Sequence, residues 1–347
     1  MNQDFLHPTV SIIVLNYNGK KYLDNCFNSL ARISYPKSRL EVILVDNASS
    51  DGSVAYVGQK YPWVNVVNLN KNYGFTGGNN AGVNLAKGEY VVFLNNDVMV
   101  NENWLSELIK IVLENPDAIL TSKSLFFDKP EIIDHVGSKA TIIGRSFCLN
   151  FGRKDDNLEK SPKFVVQPYG ASMLVKKDIF EKMGKFDEDY VTSLEDTDFG
   201  LRAWLFGYEV MYVPGSVFYH VGGGTGGWGN RISDIMVFHV TKNSYLNILK
   251  NYDFNHTVLG VTISFLYNVM TILYSLKDRR NSGIIPVFQA HIWIIKNLRS
   301  IVKKRLEIEK KRKKPYSILF NSLFFASFPE MIEEYFHIQE FYRIHYA

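Results

Sequence analysis

The chain of 347 residues carries 39 basic and 35 acidic side chains, a net charge of +4, with 46% apolar and 21% charged residues. This balance excludes a disordered chain and leaves room for one large α/β domain plus a smaller piece. Two cysteines, Cys26 and Cys148, exclude a disulfide framework and a cysteine-built metal site.

The N-terminus, MNQDFLHPTV, has no basic stretch followed by an apolar core, so no signal peptide is expected and a reducing cytoplasmic setting fits. The charge is uneven: Lys277 to Pro315 holds 13 basic against three acidic residues, which leaves the remainder net acidic.

Val10 to Leu15 (VSIIVL) predicts a buried strand closed by the polar stretch Asn16 to Gly19. Tyr22, Leu23, Cys26, Phe27 and Leu30 then fall on one helical face. Val42 to Val45 is a second strand, running into Asp46-Asn47-Ala48-Ser49-Ser50-Asp51-Gly52, where Asp51 reads most simply as a helix cap. Val64 to Leu69 is a third. After it, Gly77-Gly78-Asn79-Asn80 is expected to open a helix whose N–H groups could face an anion.

Tyr90 to Leu94 is a continuous aromatic and β-branched run, the pattern of a strand buried on both faces. It delivers Asn95, Asn96 and Asp97 to its carboxyl end. The alternation predicts an α/β fold with a mostly parallel sheet and helices on both faces. Ligands bind outside the carboxyl ends of such strands, so the four polar loops read as one site.

The second half is less regular. Strands are expected over Ala118 to Phe127, Tyr169 to Val175, Tyr208 to Val213 and Val217 to Tyr219, the last closing at His220. Lys129 to Lys163 reads as loops with short strands, and helices are expected over Asp178 to Met183 and Glu195 to Phe206. Glu195, Asp196 and Asp198 exceed what a helix N-terminus needs in acidic charge. Gly222 to Gly229 (GGGTGGWG) is too glycine-rich for regular structure, and with Trp228 it suits a lid that excludes water.

In order, VSIIVLNYNG (10–19), VILVDNASSDGS (42–53), NYGFTGGNNAG (72–82), VVFLNNDV (91–98), LEDTDFGLRAW (194–204) and YHVGGGT (219–225) resemble an inverting family 2 glycosyltransferase of GT-A fold. The resemblance covers roughly residues 9 to 250 and lies nearest the non-processive, rhamnosyltransferase-like group. It implies a catalytic domain over 1–250 and a C-terminal helical, basic, membrane-associating region over 251–347.

The implied donor is a nucleotide-diphosphate sugar, dTDP- or UDP-linked. Asn16, Asn18, Asp46, Asn47, Gly77, Asn80, Asn95 and Asn96 would hold it, Asp46 accepting an N–H of a pyrimidine base. A divalent metal, Mn or Mg, is implied at Asp97 and His220. The family usually shows Asp-x-Asp where this chain has Asn95-Asn96-Asp97, so one carboxylate is missing and weaker metal binding is expected. Imidazole at His220 suits Mn²⁺ better than Mg²⁺.

Asp196 is implied as the general base that deprotonates the acceptor hydroxyl. Glu195, Asp198, Arg202 and Trp228 would support it or face the acceptor, and Arg202 lies one helical turn after Asp198, where it can pair with it. Processive relatives carry Gln-x-x-Arg-Trp; here Ile292 stands where Arg belongs in Gln289 to Trp293, so one sugar per encounter is expected.

A nucleotidyltransferase would want a glycine-rich, Arg-containing loop after the first strand, and Asn16 to Lys20 is not one. A non-catalytic, membrane-attached nucleotide-sugar-binding protein would have no need of Asp196.

Thr257 to Leu276 is twenty residues without charge, long enough to span a bilayer. Basic residues flank it on both sides, Lys242 and Lys250 before, Lys277, Arg279 and Arg280 after, which disfavours a single span under the positive-inside rule. In-plane attachment to an anionic membrane surface keeps all of them on the cytoplasmic face. Ile284 to Ile295 and Tyr316 to Phe328 are too short to span, and Lys303 to Lys314 is expected to run over the headgroups. The acceptor is then a glycan or lipid-linked glycan, and no nucleic acid partner is expected.

Overall fold

The computed structural model describes residues 7–156, 159–222, 233–277 and 283–346. The first half alternates strand and helix: β1 (Val10–Asn16), α1 (Lys20–Arg32), β2 (Leu40–Asp46), α2 (Ser53–Lys60), β3 (Asn65–Asn68), α3 (Gly74–Leu85) and β4 (Tyr90–Asn95). These strands pair in parallel in the order β3-β2-β1-β4, with Asn16 opposite Asp46 and Asp46 opposite Asn68. Side chains alternate along them. Ile13, Ile43, Val91 and Phe93 enter one core, and Ile12, Val14, Val42, Leu44 and Val92 enter another across the sheet.

The chain then turns at Asn96 and Asp97 into a short strand, β5 (Val98–Val100), which the sequence reading missed. After α4 (Trp104–Glu114) come β6 (Ile119–Phe126), β7 (Ile133–His135), β8 (Ser138–Ala140), β9 (Ser146–Cys148), β10 (Lys163–Phe164) and β11 (Ser172–Lys176). β11 lies antiparallel between β4 and β6. Trp104 locks this half of the sheet, its indole N–H 3.0 Å from the hydroxyls of both Ser122 and Ser172.

Two short helices, α5 (Lys177–Met183) and α6 (Glu195–Phe206), precede the last strand, β12 (Val210–His220). The two strands expected here are one, broken in register between Val213 and Val217. β12 runs parallel to β6, and its end pairs antiparallel with β5, Val98 opposite His220.

Four helices follow: α7 (Asp234–Asn251), α8 (Phe254–Lys277), α9 (Ile284–Lys311) and α10 (Phe328–Tyr346). They pack on the α/β core. α9 ion-pairs through Lys304 with Asp187 and Asp189, and the backbone N–H groups of Lys313 and Lys314 bond Leu205 O at 2.8 and 3.1 Å. Part of the basic cluster is thus spent on the protein itself and not on headgroups. Tyr316 to Phe328 is partly taken up by the core: Leu319, Phe324 and Ala326 are buried, Phe324 lies 4.4 Å from the Trp204 ring, and the Ala326 N–H donates to Ala140 O at 2.9 Å.

Of the two roles expected for Asp198, support and acceptor contact, its surroundings match support, with the expected Arg202 pair formed. Asp198 is fully buried and faces no acceptor; it binds Arg202 Nε at 2.8 Å, Lys250 Nζ at 2.8 Å and Asn251 Nδ2 at 2.9 Å. Burial would raise its carboxyl, but Arg202 and Lys250 hold it below the usual range. Its stabilisation is therefore complete above about pH 4 and is lost as pH falls through its depressed folded value. Asp198→Asn leaves the buried Arg202 without its carboxylate and Lys250 with Asp187 alone. Urea unfolding at neutral pH is expected to show a loss of about 3–5 kcal/mol, a loss that shrinks toward acid pH.

Candidate active site

The carboxyl ends of β1 and β2 meet in one buried polar cluster. The Asn16 amide donates to Asp46 Oδ1 at 3.0 Å, Ser49 Oγ at 3.1 Å and Ser53 Oγ at 2.9 Å, and its Oδ1 accepts from Asn96 Nδ2 at 2.7 Å. Gly19 is required here, since a Cβ would collide with Asn96. Asp46 also accepts from the Ser49 N–H at 2.8 Å. Asn18 takes a left-handed backbone, which Asn tolerates, and its Oδ1 accepts from the Ser50 N–H at 2.7 Å. Asp51 caps two helices at once, accepting from Lys20 N at 2.8 Å and Ser53 N at 3.0 Å.

Three expected donor contacts are built into the scaffold instead. Asn47 accepts from Tyr73 N at 3.0 Å and donates to Gly74 O at 2.9 Å. α3 starts at Gly74, so Gly77 lies inside it. The N–H groups of Gly74, Phe75 and Thr76 go to Asn72 Oδ1 and Val191 O, which leaves no free helix start for a phosphate. The glycines serve packing: a Cβ on Gly82 would sit 2.6 Å from Ile13 Cγ2. Asn80 clips the loop after α5, donating to Phe186 O at 2.9 Å and accepting from Phe186 N at 3.2 Å. Gly77 and Asn80 do line a groove of about 500 Å³ with Asn68 and Tyr73. Asn95 is half-buried, and its N–H donates to Ala171 O at 3.1 Å.

The β5–β12 pairing brings Asp97 beside His220. Asp97 Oδ1 lies 3.4 Å from His220 Nε2, and the Val221 N–H bonds Asp97 O at 3.0 Å. On its far side His220 Nδ1 donates to Asp134 Oδ2 at 3.0 Å. Asp134 accepts as well from Ser124 Oγ at 2.6 Å and Tyr169 Oη at 3.4 Å, and His135 stacks on Tyr169 at 4.2 Å.

Burial alone would lower His220, but Asp134 and Asp97 push it up to about 10. Burial would raise Asp134, and His220 more than offsets it. Asp134 and Tyr169 were missed in the sequence. Asp134 sits within the irregular Lys129 to Lys163 stretch, and no local spacing marks it.

Would this pair hold a divalent cation? Asp97 Oδ1 is buried with no hydrogen-bond partner among the described residues, and it faces an imidazole nitrogen whose other nitrogen is fixed by a carboxylate. That is the outer-shell arrangement of a metal-ligating histidine. No group of three His, Cys, Asp or Glu side chains placed to hold a metal occurs among the described residues. The two donors fit a cation whose remaining ligands come from diphosphate and water.

Asp196 is half-buried near the start of α6, its Oδ2 3.3 Å from Gly170 N and its Oδ1 2.7 Å from Thr197 N. Burial holds its carboxyl above the ordinary range. Glu195 is buried with Oε2 unpartnered, and burial and the Asp196 charge push it up to about 8. Tyr169 and Gly170 are adjacent, so one turn touches both the His220 side and the Asp196 side.

The approach to α6 is strained. Val191, Ser193 and Leu194 all have positive φ (63°, 69° and 62°), costing about 1–3 kcal/mol each. Asn243 of α7 holds this segment, its buried amide 3.1, 2.8 and 2.6 Å from the carbonyls of Tyr190, Thr192 and Ser193. Arg202 pairs with Asp198, away from the site. Trp228 and the expected lid beyond Gly222 lie outside the described residues.

The strand order and the site at one sheet edge define the GT-A class of sugar transferase folds. Residues 11–184 match the description "Glycosyl transferase family 2", and the chain belongs to that family. N-acetylgalactosaminyltransferase 6 of Drosophila melanogaster is 27% identical over 234 residues, 62% of this chain and 34% of that protein. Poly(ribitol-phosphate) β-N-acetylglucosaminyltransferase TarS of Staphylococcus aureus (strain Mu50) is 26% identical over 216 residues, 60% of this chain and 35% of that one. The chain thus spans about a third of the length of these curated relatives. Among solved structures, GalNAc-T7 crystallised with UDP, GalNAc and Mn²⁺ superposes with a TM-score of 0.57 at 17% identity, covering 71% of this chain and 48% of that one.

The paired Asp97 and His220 generate a test. Mn²⁺ with UDP, dTDP or GDP is expected to raise the melting temperature, because a ligand bound only to the folded state stabilises it. The metal-dependent part should vanish in Asp97→Ala and weaken about 10–100-fold in apparent affinity in Asp134→Asn. A nucleotide shift indifferent to metal and to Asp97 would contradict this site.

Proposed function

We propose that this protein transfers one sugar per encounter from a nucleotide-diphosphate sugar to a hydroxyl of a glycan or lipid-linked glycan at a membrane surface, with inversion at the sugar carbon. Residues 1–250 form the catalytic unit in this reading, and 251–347 the membrane-facing region. The observation that carries it is the pair of poles joined by Tyr169 and Gly170: a carboxylate–imidazole pair on one side, a carboxylate with raised proton affinity on the other.

Asn16, Asn18, Asp46 and Asn96 hold the nucleotide end of the donor, and Asn95 lies beside them. Asp97 and His220 would hold a divalent cation, which supplies charge neutralisation at the departing diphosphate. Asp196 accepts the acceptor's proton as the new bond forms, and its raised affinity brings it nearer the operating pH. Burial and the Asp196 charge hold the Glu195 carboxyl above its usual range, which favours its neutral form beside the base. No covalent sugar–enzyme intermediate is required.

A panel of UDP-, dTDP- and GDP-sugars with Mn²⁺, read as nucleotide-diphosphate release, tests this. Asp196→Asn is expected to lower turnover about 10²–10⁴-fold with the nucleotide-induced melting shift intact. Glu195→Gln copies the protonated form and should stay active at neutral pH. The acid limb of the rate profile should lie above the ordinary aspartate value of about 4, because a base with a raised pKa is lost at higher pH. An equal loss in both variants would move the base assignment away from Asp196.

A further inference from the structure

α8 is built inside out. Its buried residues, among those described, are Gly260, Ser264 and Asn268, one turn apart; Gly260 and Ser264 face Ile142 O and Ile143 O of the α/β body, and Asn268 faces Tyr245 Oη of α7. Its outward residues are Val258, Leu259, Phe265, Leu266, Met270 and Leu273, between 50% and 65% exposed. A helix on a protein bathed in water puts its apolar stripe inward. This one turns its amide and hydroxyl to the protein and its large apolar groups outward, so the medium that it faces is apolar.

α9 continues the surface with a gradient. Ile285, Phe288, Ile292 and Ile295 are at least 50% exposed along its first half. Lys296, Arg299, Lys303 and Lys310 recur at helical spacing on the same outward face along its second half. Apolar area at this scale marks an interaction site, and basic residues beside it match anionic headgroups.

We propose that α8 and the first half of α9 lie in the plane of an anionic bilayer, α8 immersed to the acyl boundary and the second half of α9 over the headgroups. α8 is the one helix among the described residues long and apolar enough to cross a membrane, Phe254–Leu273. Its polar face, however, is held along that length by the β8–β9 turn at Gly260 and Ser264 and by α7 at Asn268, which keeps it packed against the protein instead of spanning. Ile142 and Ile143 belong to the turn joining β8 to β9, whose other end places Ser146 Oγ 3.2 Å from Thr197 Oγ1, next to the base. The membrane-facing helix and the acceptor side of the site therefore share one hairpin. The inference names the surface for the transfer proposed above, and its assay needs no donor or turnover, so each can fail alone.

The full chain is floated with vesicles of phosphatidylcholine alone or with 30% phosphatidylglycerol, without detergent. It is expected to float with the anionic vesicles. Phe265→Glu with Met270→Glu should lose at least tenfold in partitioning with unchanged circular dichroism and nucleotide-induced melting shift. Leu113→Glu, equally exposed on α4, should lose nothing. Arg299→Glu and Lys303→Glu should each cost about fivefold or more, and only on anionic vesicles.

Cysteines placed at Phe254 and Leu276 should both react with an impermeant maleimide added outside sealed vesicles. Labelling at one end alone would mean that α8 spans, and would overturn the in-plane arrangement. Failure to float would overturn the proposal. So would a stable dimer that Met270→Glu dissociates and that does not float, which assigns the face to a second copy of the chain.

Discussion

Three residues of antiparallel pairing set the geometry on which the candidate site depends. β5 and β12 meet with Val98 opposite His220, and that register sets the Asp97 carboxylate against the imidazole. A register slip of one residue would turn both side chains to opposite faces. Behind the imidazole, β7 pairs with β6 and delivers Asp134, so His220 has one nitrogen fixed and one free to face Asp97. Two negative groups flanking one ring would repel each other if the ring were removed. The cluster depends on positive charge at its centre, carried by the His220 proton or by a bound cation.

The acidic pole is held by different means. α6 begins after a run of left-handed residues that no local preference favours, and the Asn243 amide holds their carbonyls from α7. The same loop supplies Val191 O to the start of α3 and carries Asp187 and Asp189, which bind Lys304 of α9. α6, which carries Asp196, is thus braced by α3 and by the C-terminal helices together. The C-terminal region is structurally continuous with the site and contributes to its geometry.

Much of this was legible in the sequence because burial and turns leave strong local marks. The run Tyr90 to Leu94 could only be a two-sided buried strand, and the polar ends of β1, β2 and β4 had to share an edge of the sheet. Long-range partners left no mark. Asp134 gains its meaning from strand pairing across an irregular stretch, and Asn243 from a helix packed under a strained loop. Gly77 and Gly78 looked like a phosphate loop, but Gly78 lies close against Leu15 of β1 and Gly77 against Tyr73, so packing asks for the same residues. Asp198 looked like a member of an acidic site, and only the arrival of Lys250 and Asn251 from α7 shows it to be a buried counter-ion.

Asp97 and His220 are proposed to receive a divalent cation together with the donor diphosphate. The most direct measurement is electron spin-echo envelope modulation of Mn²⁺ bound with UDP. A ¹⁴N coupling from one imidazole is expected, and it should disappear in His220→Ala, with Mn²⁺ binding weakened in Asp97→Ala. Mn²⁺ bound tightly with UDP but without nitrogen coupling would contradict it and would place the metal elsewhere on the sheet edge.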